Sequence, residues 1–262
     1  MFSAAKRCKY NNNQLAEVIC QLRFPEILTI NTKLPADYQE AIRSEYPRYS
    51  VKNEASAPRI SAISGNLKVE PQPATPNYQF SSADGVWRVN LTSKFIALAC
   101  TKYTCWEEFA RRLDTPLAAF IQIYKPAYFE RVGLRYINFF SRRALDLADA
   151  PFSDLIQPQY LGLLADDEVA ESHASRCSMD AEVAIRGGCR VKIHSGPGLI
   201  KENGQQDNEV KFIFDQDLFM MGNVPVKYSA GALETLHTQA YSLFRGAITD
   251  TLHDAMEPNY DL

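Results

Sequence analysis

Residues 128–140 read YFERVGLRYINFF, and the fold turns on this stretch. Strong β-formers run through it in the two-residue alternation of a strand. Arg131, Gly133, Arg135, Ile137 and Phe139 then share one face, and Glu130, Val132, Leu134, Tyr136, Asn138 and Phe140 share the other. The strand divides the chain into halves, because the elements after it come in the same order as those before it.

Downstream, residues 145–163 read as helical, and candidate strands come next at 169–184, 189–194 and 210–214. Gly187-Gly188 reads as a hairpin turn, Ser195-Gly196-Pro197-Gly198 as another turn, and KENGQQDN at 201–208 as a polar loop. Residues 229–256 carry Leu233, Leu236, Ala240, Leu243, Phe244, Ile248, Leu252 and Met256 at helical spacing. Ser229 is a candidate N-cap, Gly246 a weak point, and Pro258 lies beyond the end.

Upstream, LAEVICQLRF at 15–24 puts Ala16, Val18, Cys20, Leu22 and Phe24 on one strand face before Pro25 ends it. PADYQEAIRSEY at 35–46 spaces Tyr38, Ile42 and Tyr46 four apart behind a first-turn proline, as a short helix does. Short β-rich runs occupy 59–63, 67–69, 78–81, 87–91 and 95–103. Ser64-Gly65-Asn66 and Ala83-Asp84-Gly85 are candidate hairpin turns, and Pro71, Pro73 and Pro76 mark a loop or edge. Residues 105–123 place Trp106, Phe109, Leu113, Leu117, Phe120 and Ile121 on one helical stripe, with Pro116 inside it predicting a kink or break.

Each half is thus strand, helix, antiparallel strands, long helix. A sheet with one apolar face needs cover, and a closing amphipathic helix supplies it. The expected fold is α+β, a tandem repeat of two units, 1–126 and 127–262, with helix-grip or TATA-binding-protein-like topology. The two sheets could join edge to edge into one curved sheet, which would also bury exposed edges.

Composition agrees with a packed protein: 262 residues, 46% hydrophobic and 23% charged. The net charge of −3 excludes a globally basic nucleic-acid binder. It hides an asymmetry, since residues 1–126 hold 16 Lys/Arg against 11 Asp/Glu (+5) and residues 127–262 hold 12 against 20 (−8). Either the first half meets an anionic partner, or the charges are solvated surface. No apolar run reaches membrane-spanning length and the first residues lack a signal-peptide core, so the expected compartment is the cytoplasm, without membrane association. The six cysteines are expected as thiols, Cys20 and Cys100 as core residues.

The string RVGLRYIN at 131–138, preceded by YTCWEEF at 103–109, resembles a sporadically distributed bacterial protein family of about this length. AEVICQLRF at 16–24, FSSADGVWRV at 80–89 and Ile248-Thr249-Asp250 are similar to the same family. The resemblance covers most of the chain and implies the family's overall organisation, but it brings no established activity. Its patchy distribution is that of mobile or defence-associated genes, which implies anti-phage defence or a toxin–antitoxin pair.

Arg131 and Arg135 flank Gly133, a gap with no side chain. Such a notch could admit a phosphate or carboxylate between two guanidinium forks. Alternatively the arginines pair with acidic residues of a neighbouring strand, such as Asp215 or Asp217. His173, Cys177, Cys189 and His194 superficially resemble a zinc set, but a separation of five puts Cys189 and His194 on opposite strand faces, so no metal is expected. No nucleophile elbow or phosphate loop is present, His237 and His253 lie 16 residues apart on one predicted helix, and Glu107 and Glu108 suit a helix start. No catalytic residue or cofactor is assigned. The leading expectation is a non-enzymatic binding protein that recognises a protein partner. The alternative is a nucleic-acid or nucleotide binder using Arg131, Arg135 and basic residues of the first half; an enzyme ranks third.

Overall fold

The computed structural model describes residues 1–54, 59–63, 66–70, 74–202 and 205–261. In chain order the elements are β1 (Lys9–Tyr10), β2 (Leu15–Arg23), α1 (Leu28–Thr32), α2 (Ala36–Ile42), β3 (Arg48–Glu54), β4 (Arg59–Ile63), β5 (Asn66–Glu70), β6 (Thr75–Ser81), β7 (Trp87–Leu91), β8 (Phe95–Cys100) and α3 (Trp106–Tyr124). Then come β9 (Phe129–Phe140), β10 (Met179–Ala184), β11 (Cys189–Glu202), β12 (Gln205–Val224), α4 (Ser229–Arg245), α5 (Asp250–Ala255) and β13 (Pro258–Asn259). The fold is α+β, built on a nine-stranded antiparallel sheet of order β10-β11-β12-β9-β2-β8-β7-β6-β3.

The strand read first, β9, lies between β12 and β2, and the β2–β9 pair joins the strands of the two halves. The 126/127 boundary falls between α3 and β9. Alternation sorts the side chains as expected: Val18, Cys20, Leu22, Val132 and Leu134 are fully buried on the inner face. Burial pushes the Cys20 thiol up to about 12, and all six cysteines are free thiols. The helices pack on this inner face, with the Phe120 ring of α3 4.6 Å from Phe24 and the Phe244 ring of α4 6.1 Å from Phe140. Tyr38 of α2 sits edge-on to Phe80. One continuous core runs under both halves.

Several expectations are corrected. Residues 145–163 form no α-helix but short 3₁₀ turns at Phe152–Asp154, Pro158–Tyr160 and Gly162–Ala165. Pro151 and Pro158 leave too few consecutive donors for an α-helix. Of 169–184 only Met179–Ala184 is a strand, since AESHASR at 170–176 has no β-branched residue and contains a 3₁₀ turn. Strand β3 was not foreseen. The turn at Ser64-Gly65-Asn66, Pro71 and Pro73 involve positions outside the described residues, whereas the turn at Ala83-Asp84-Gly85 closes the β6–β7 hairpin.

Ser195-Gly196-Pro197-Gly198 is not a turn; it continues β11 opposite Phe214 to Lys211 of β12. Gly196 has φ +151°, and a Cβ there would lie 2.5 Å from the Cys177 carbonyl oxygen. The glycine therefore serves a close backbone crossing. The last helix is two helices, because residues 247–249 leave the helix to bond the 155–157 segment: Gln157 N–H donates to Ala247 O at 2.8 Å and Thr249 N–H to Leu155 O at 2.9 Å. Thr249 caps α5 by accepting from Leu252 N–H. Ser229 is no N-cap; its hydroxyl donates to Val226 O at 2.8 Å.

Helix α3 runs unbroken through Pro116. A proline in mid-helix cannot donate to the carbonyl four residues back, here Arg112. The Tyr46 hydroxyl fills the gap, donating to Arg112 O at 2.8 Å, and Tyr38 donates to Pro116 O at 3.2 Å. Tyr46→Phe is expected to cost about 1–2 kcal/mol by stripping a carbonyl of its donor. In a Pro116→Ala background, where residue 116 regains its N–H, most of that cost should vanish; urea melts of the four proteins of this cycle measure it.

Candidate functional site

Two places gather polar side chains. The first is the outer face of the sheet, opposite the helices. Arg131 and Arg135 both lie there, and both carry carboxylate partners from β12. Arg131 Nη2 lies 2.6 and 2.7 Å from the two oxygens of Asp217, and Arg135 grips Asp215 in a fork, Nε to Oδ1 at 2.8 Å and Nη2 to Oδ2 at 2.5 Å. The notch at Gly133 is filled: a Cβ there would lie 2.2 Å from Arg131 Nη1, so the guanidinium folds back over the glycine and rests 4.6 Å from the Phe219 ring.

The pairing continues across the next strands. Lys192 and Arg190 of β11 reach Glu182 of β10 at 3.4 and 2.9 Å, and His194 Nδ1 lies 2.8 Å from Asp180. The Arg190 hydrogen bond holds the Glu182 carboxyl below its ordinary range. The result is a ladder of alternating sign over β9, β12, β11 and β10. Ile137 and Phe139 are half-buried on the same face, and Met221 is 59% exposed.

The second place is a cavity of about 100 Å³ on the inner face, between residues 7–15, the start of α3, α4, and strands β9 and β12. His237 of α4 stands in its wall, 6% exposed. Arg7 Nη1 lies 2.8 Å from its Nε2, and since a guanidinium only donates, that nitrogen accepts. The ring proton is therefore on Nδ1, 3.0 Å from the Tyr136 hydroxyl, and the Tyr103 ring meets the Tyr136 ring edge-on at 5.9 Å. The Trp106 indole stacks flat on His237, 4.7 Å away and tilted by 8°, and donates to Glu234 at 2.6 Å. Arg7 also pairs with Glu107 at the cavity rim. Gln216 of β12 is 2% exposed, and its Oε1 is buried with no hydrogen-bond partner among the described residues.

Compared with known proteins, the chain matches no protein-family model and no curated protein.

The residues suspected of resembling a zinc set have separate partners. Cys177 Sγ contacts Leu161 O, Cys189 Sγ contacts Gln239 Nε2, and His194 bonds Asp180. Among the described residues no group of three or more His, Cys, Asp or Glu could hold a metal ion. No helix there is long and apolar enough to cross a membrane.

None of the cavity residues was assigned from sequence. The usable signal was polar residues at positions the period assigns to the core: Gln216 between Phe214 and Leu218, Tyr136 and Asn138 after Leu134, His237 beside Leu236. Arg7 and Glu107 give no such signal, because only the fold brings them to one rim.

Burial, reinforced by the Arg7 charge, pushes His237 down to about 4 from its ordinary 6.5. Between these values the unfolded chain takes up a proton that the folded protein refuses. The associated stability is therefore complete above pH 6.5 and is lost as pH falls towards 4, about 3 kcal/mol in all. Denaturant melts should show the wild type losing about 2 kcal/mol more than His237→Gln between pH 7 and pH 5.

Proposed function

We propose that this chain is a binding protein that engages another protein on the outer face of its sheet. The observation that carries the reading is the ladder of alternating charge interleaved with apolar side chains. Arg131, Arg135, Arg190 and Lys192 are matched by Asp215, Asp217, Asp180 and Glu182 on one surface. Protein surfaces offer both signs and apolar atoms together and can complement such a pattern. A phosphate backbone would meet as many carboxylates as cations here, which disfavours the nucleic-acid alternative.

The same reading includes a duplicated architecture. Outward from the central pair, one half runs β2-β8-β7-β6-β3 and the other β9-β12-β11-β10. In both, the first strand pairs with the last strand before the long helix, the arrangement of a helix-grip unit. The resemblance to a sporadically distributed bacterial family supports a cytoplasmic role in phage defence or toxin neutralisation.

The test uses Lys192→Glu/Met221→Asp, two exposed changes on this face. A single protein should co-purify in stoichiometric amount with the wild type from its source cells and be lost from the variant, whose melting temperature stays within a few degrees. Steeply salt-dependent binding of nucleic acid instead, unchanged in the variant, would overturn the proposal.

A further inference from the structure

Both rims of the nine-stranded sheet are open, with β3 at one end of the strand order and β10 at the other. We infer that β3 of one copy pairs with β10 of the next, so that the sheet continues from chain to chain in a head-to-tail assembly. The seam joins strand rims and leaves the outer face clear, so the inference goes beyond a partner bound there.

An edge strand presents a row of unpaired backbone N–H and C=O groups, and proteins blunt such edges with charge. The two edges here are blunted with opposite signs. On β3, Tyr49 lies opposite Phe80 and Val51 opposite Tyr78, both core residues, so Arg48, Ser50 and Lys52 stand on the outer face. Neither Arg48 nor Lys52 has an ion-pair partner among the described residues. On β10, Ala181 lies opposite Ile193 and Val183 opposite Val191, again core residues, so Asp180 and Glu182 stand on the outer face. These carboxylates already hold His194, Arg190 and Lys192 of β11, yet both are exposed, the Asp180 side chain at 72%. A carboxylate has about four acceptor sites, enough for a further cation.

This pattern discriminates among the possible seams. Two β3 strands paired about a twofold axis, with Ser50 opposite itself, would set Arg48 against Lys52 of the other copy. Two β10 strands with Ala181 opposite itself would set Asp180 against Glu182. Like charges directly opposite destabilise a pair, and only β3 against β10 brings unlike charges together.

Strand direction agrees. Every neighbouring pair in the sheet is antiparallel and nine is odd, so β3 and β10 run the same way. A second copy with its helices on the same side therefore adds as a parallel strand. With Arg48 beside Asp180 and Ser50 beside Glu182, Glu182 lies diagonally within reach of both cations, and Val51 meets Val183 on the inner face. Tyr49 and Val51 are each 47% exposed and Val183 37%, so the seam also covers apolar surface that one copy leaves to water. The halves that carry the two edges differ in the same sense, +5 for the first and −8 for the second.

The two sides of this seam are different patches, so a copy bound at one edge still offers the other and growth passes the dimer. Sedimentation velocity of the full chain tests it. At about 0.1 mM and above, the weight-average mass should exceed twice that of the chain without a plateau at the dimer, and it should fall towards the monomer in about 0.5 M salt, which screens the seam. Arg48→Glu/Lys52→Glu and Asp180→Lys/Glu182→Lys each produce a molecule whose two edges carry the same sign. Each alone should stay monomeric with unchanged circular dichroism, and an equimolar mixture of the two should associate again, the variants alternating along the assembly. A wild type that is monomeric over this range overturns the inference, as does a mass that levels off at the dimer, wild-type association by folded Arg48→Glu/Lys52→Glu, or a mixture of the folded variants that stays monomeric. Should a variant not fold, wild-type association unmoved by salt overturns it instead. Arg48 and Lys52 lie at the opposite end of the strand order from the charged ladder, so their variant separates this inference from the outer-face reading: it should lose assembly and still capture a partner there.

Discussion

The pairing of β2 with β9 is the constraint on which the rest of the molecule depends. Its register sets Val18 opposite Tyr136, Cys20 opposite Leu134 and Leu22 opposite Val132. The apolar faces of the two halves are thereby merged into one floor. A slip of one residue would turn Leu134 and Tyr136 to the outside and send Arg135 into the core, so burial itself enforces the register. Because the seam is fixed, α3 and α4 come to rest on the same side of one sheet, and the cavity at their meeting draws on residues from both halves.

Much of this architecture was legible in the sequence because strands with one buried face announce themselves by period. The inner-face residues of β2, the span of β7 and the Tyr38/Ile42 face of α2, with Tyr46 buried just beyond its end, all come from spacing alone. The failures occurred where long-range backbone bonds override local preference. The apolar pattern of 229–256 is continuous, yet residues 247–249 leave the helix because the 155–157 backbone offers hydrogen bonds there. Glycine and proline at 196–198 suggested reversal, but they mark a strand crossed closely by another segment. Pro116 suggested a broken helix, and what prevents a loose carbonyl is a tyrosine 70 residues earlier in the chain, invisible to any local window.

The two polar regions were unequally legible. Alternation on β9 placed Arg131 and Arg135 together, and the acidic residues named as their possible partners are those they meet. The cavity was not legible, because it is assembled from six separate segments and its polar members read one at a time as imperfect core. Gln216 is the clearest case: a polar residue at a core position looks like noise in a hydrophobic alternation until its neighbours show that it stands in a cavity wall.

The charged ladder on the outer face has a consequence for how that surface is felt from a distance. Cations and anions alternate there within one strand spacing, so their fields cancel over a few ångströms, well inside the screening length of about 8 Å in physiological salt. A surface with that texture neither draws oppositely charged molecules in from solution nor turns like-charged ones away. It distinguishes among them only on contact, where each carboxylate and guanidinium is read singly, so encounters with it proceed at the unaided pace of diffusion and selection falls to how long each one lasts.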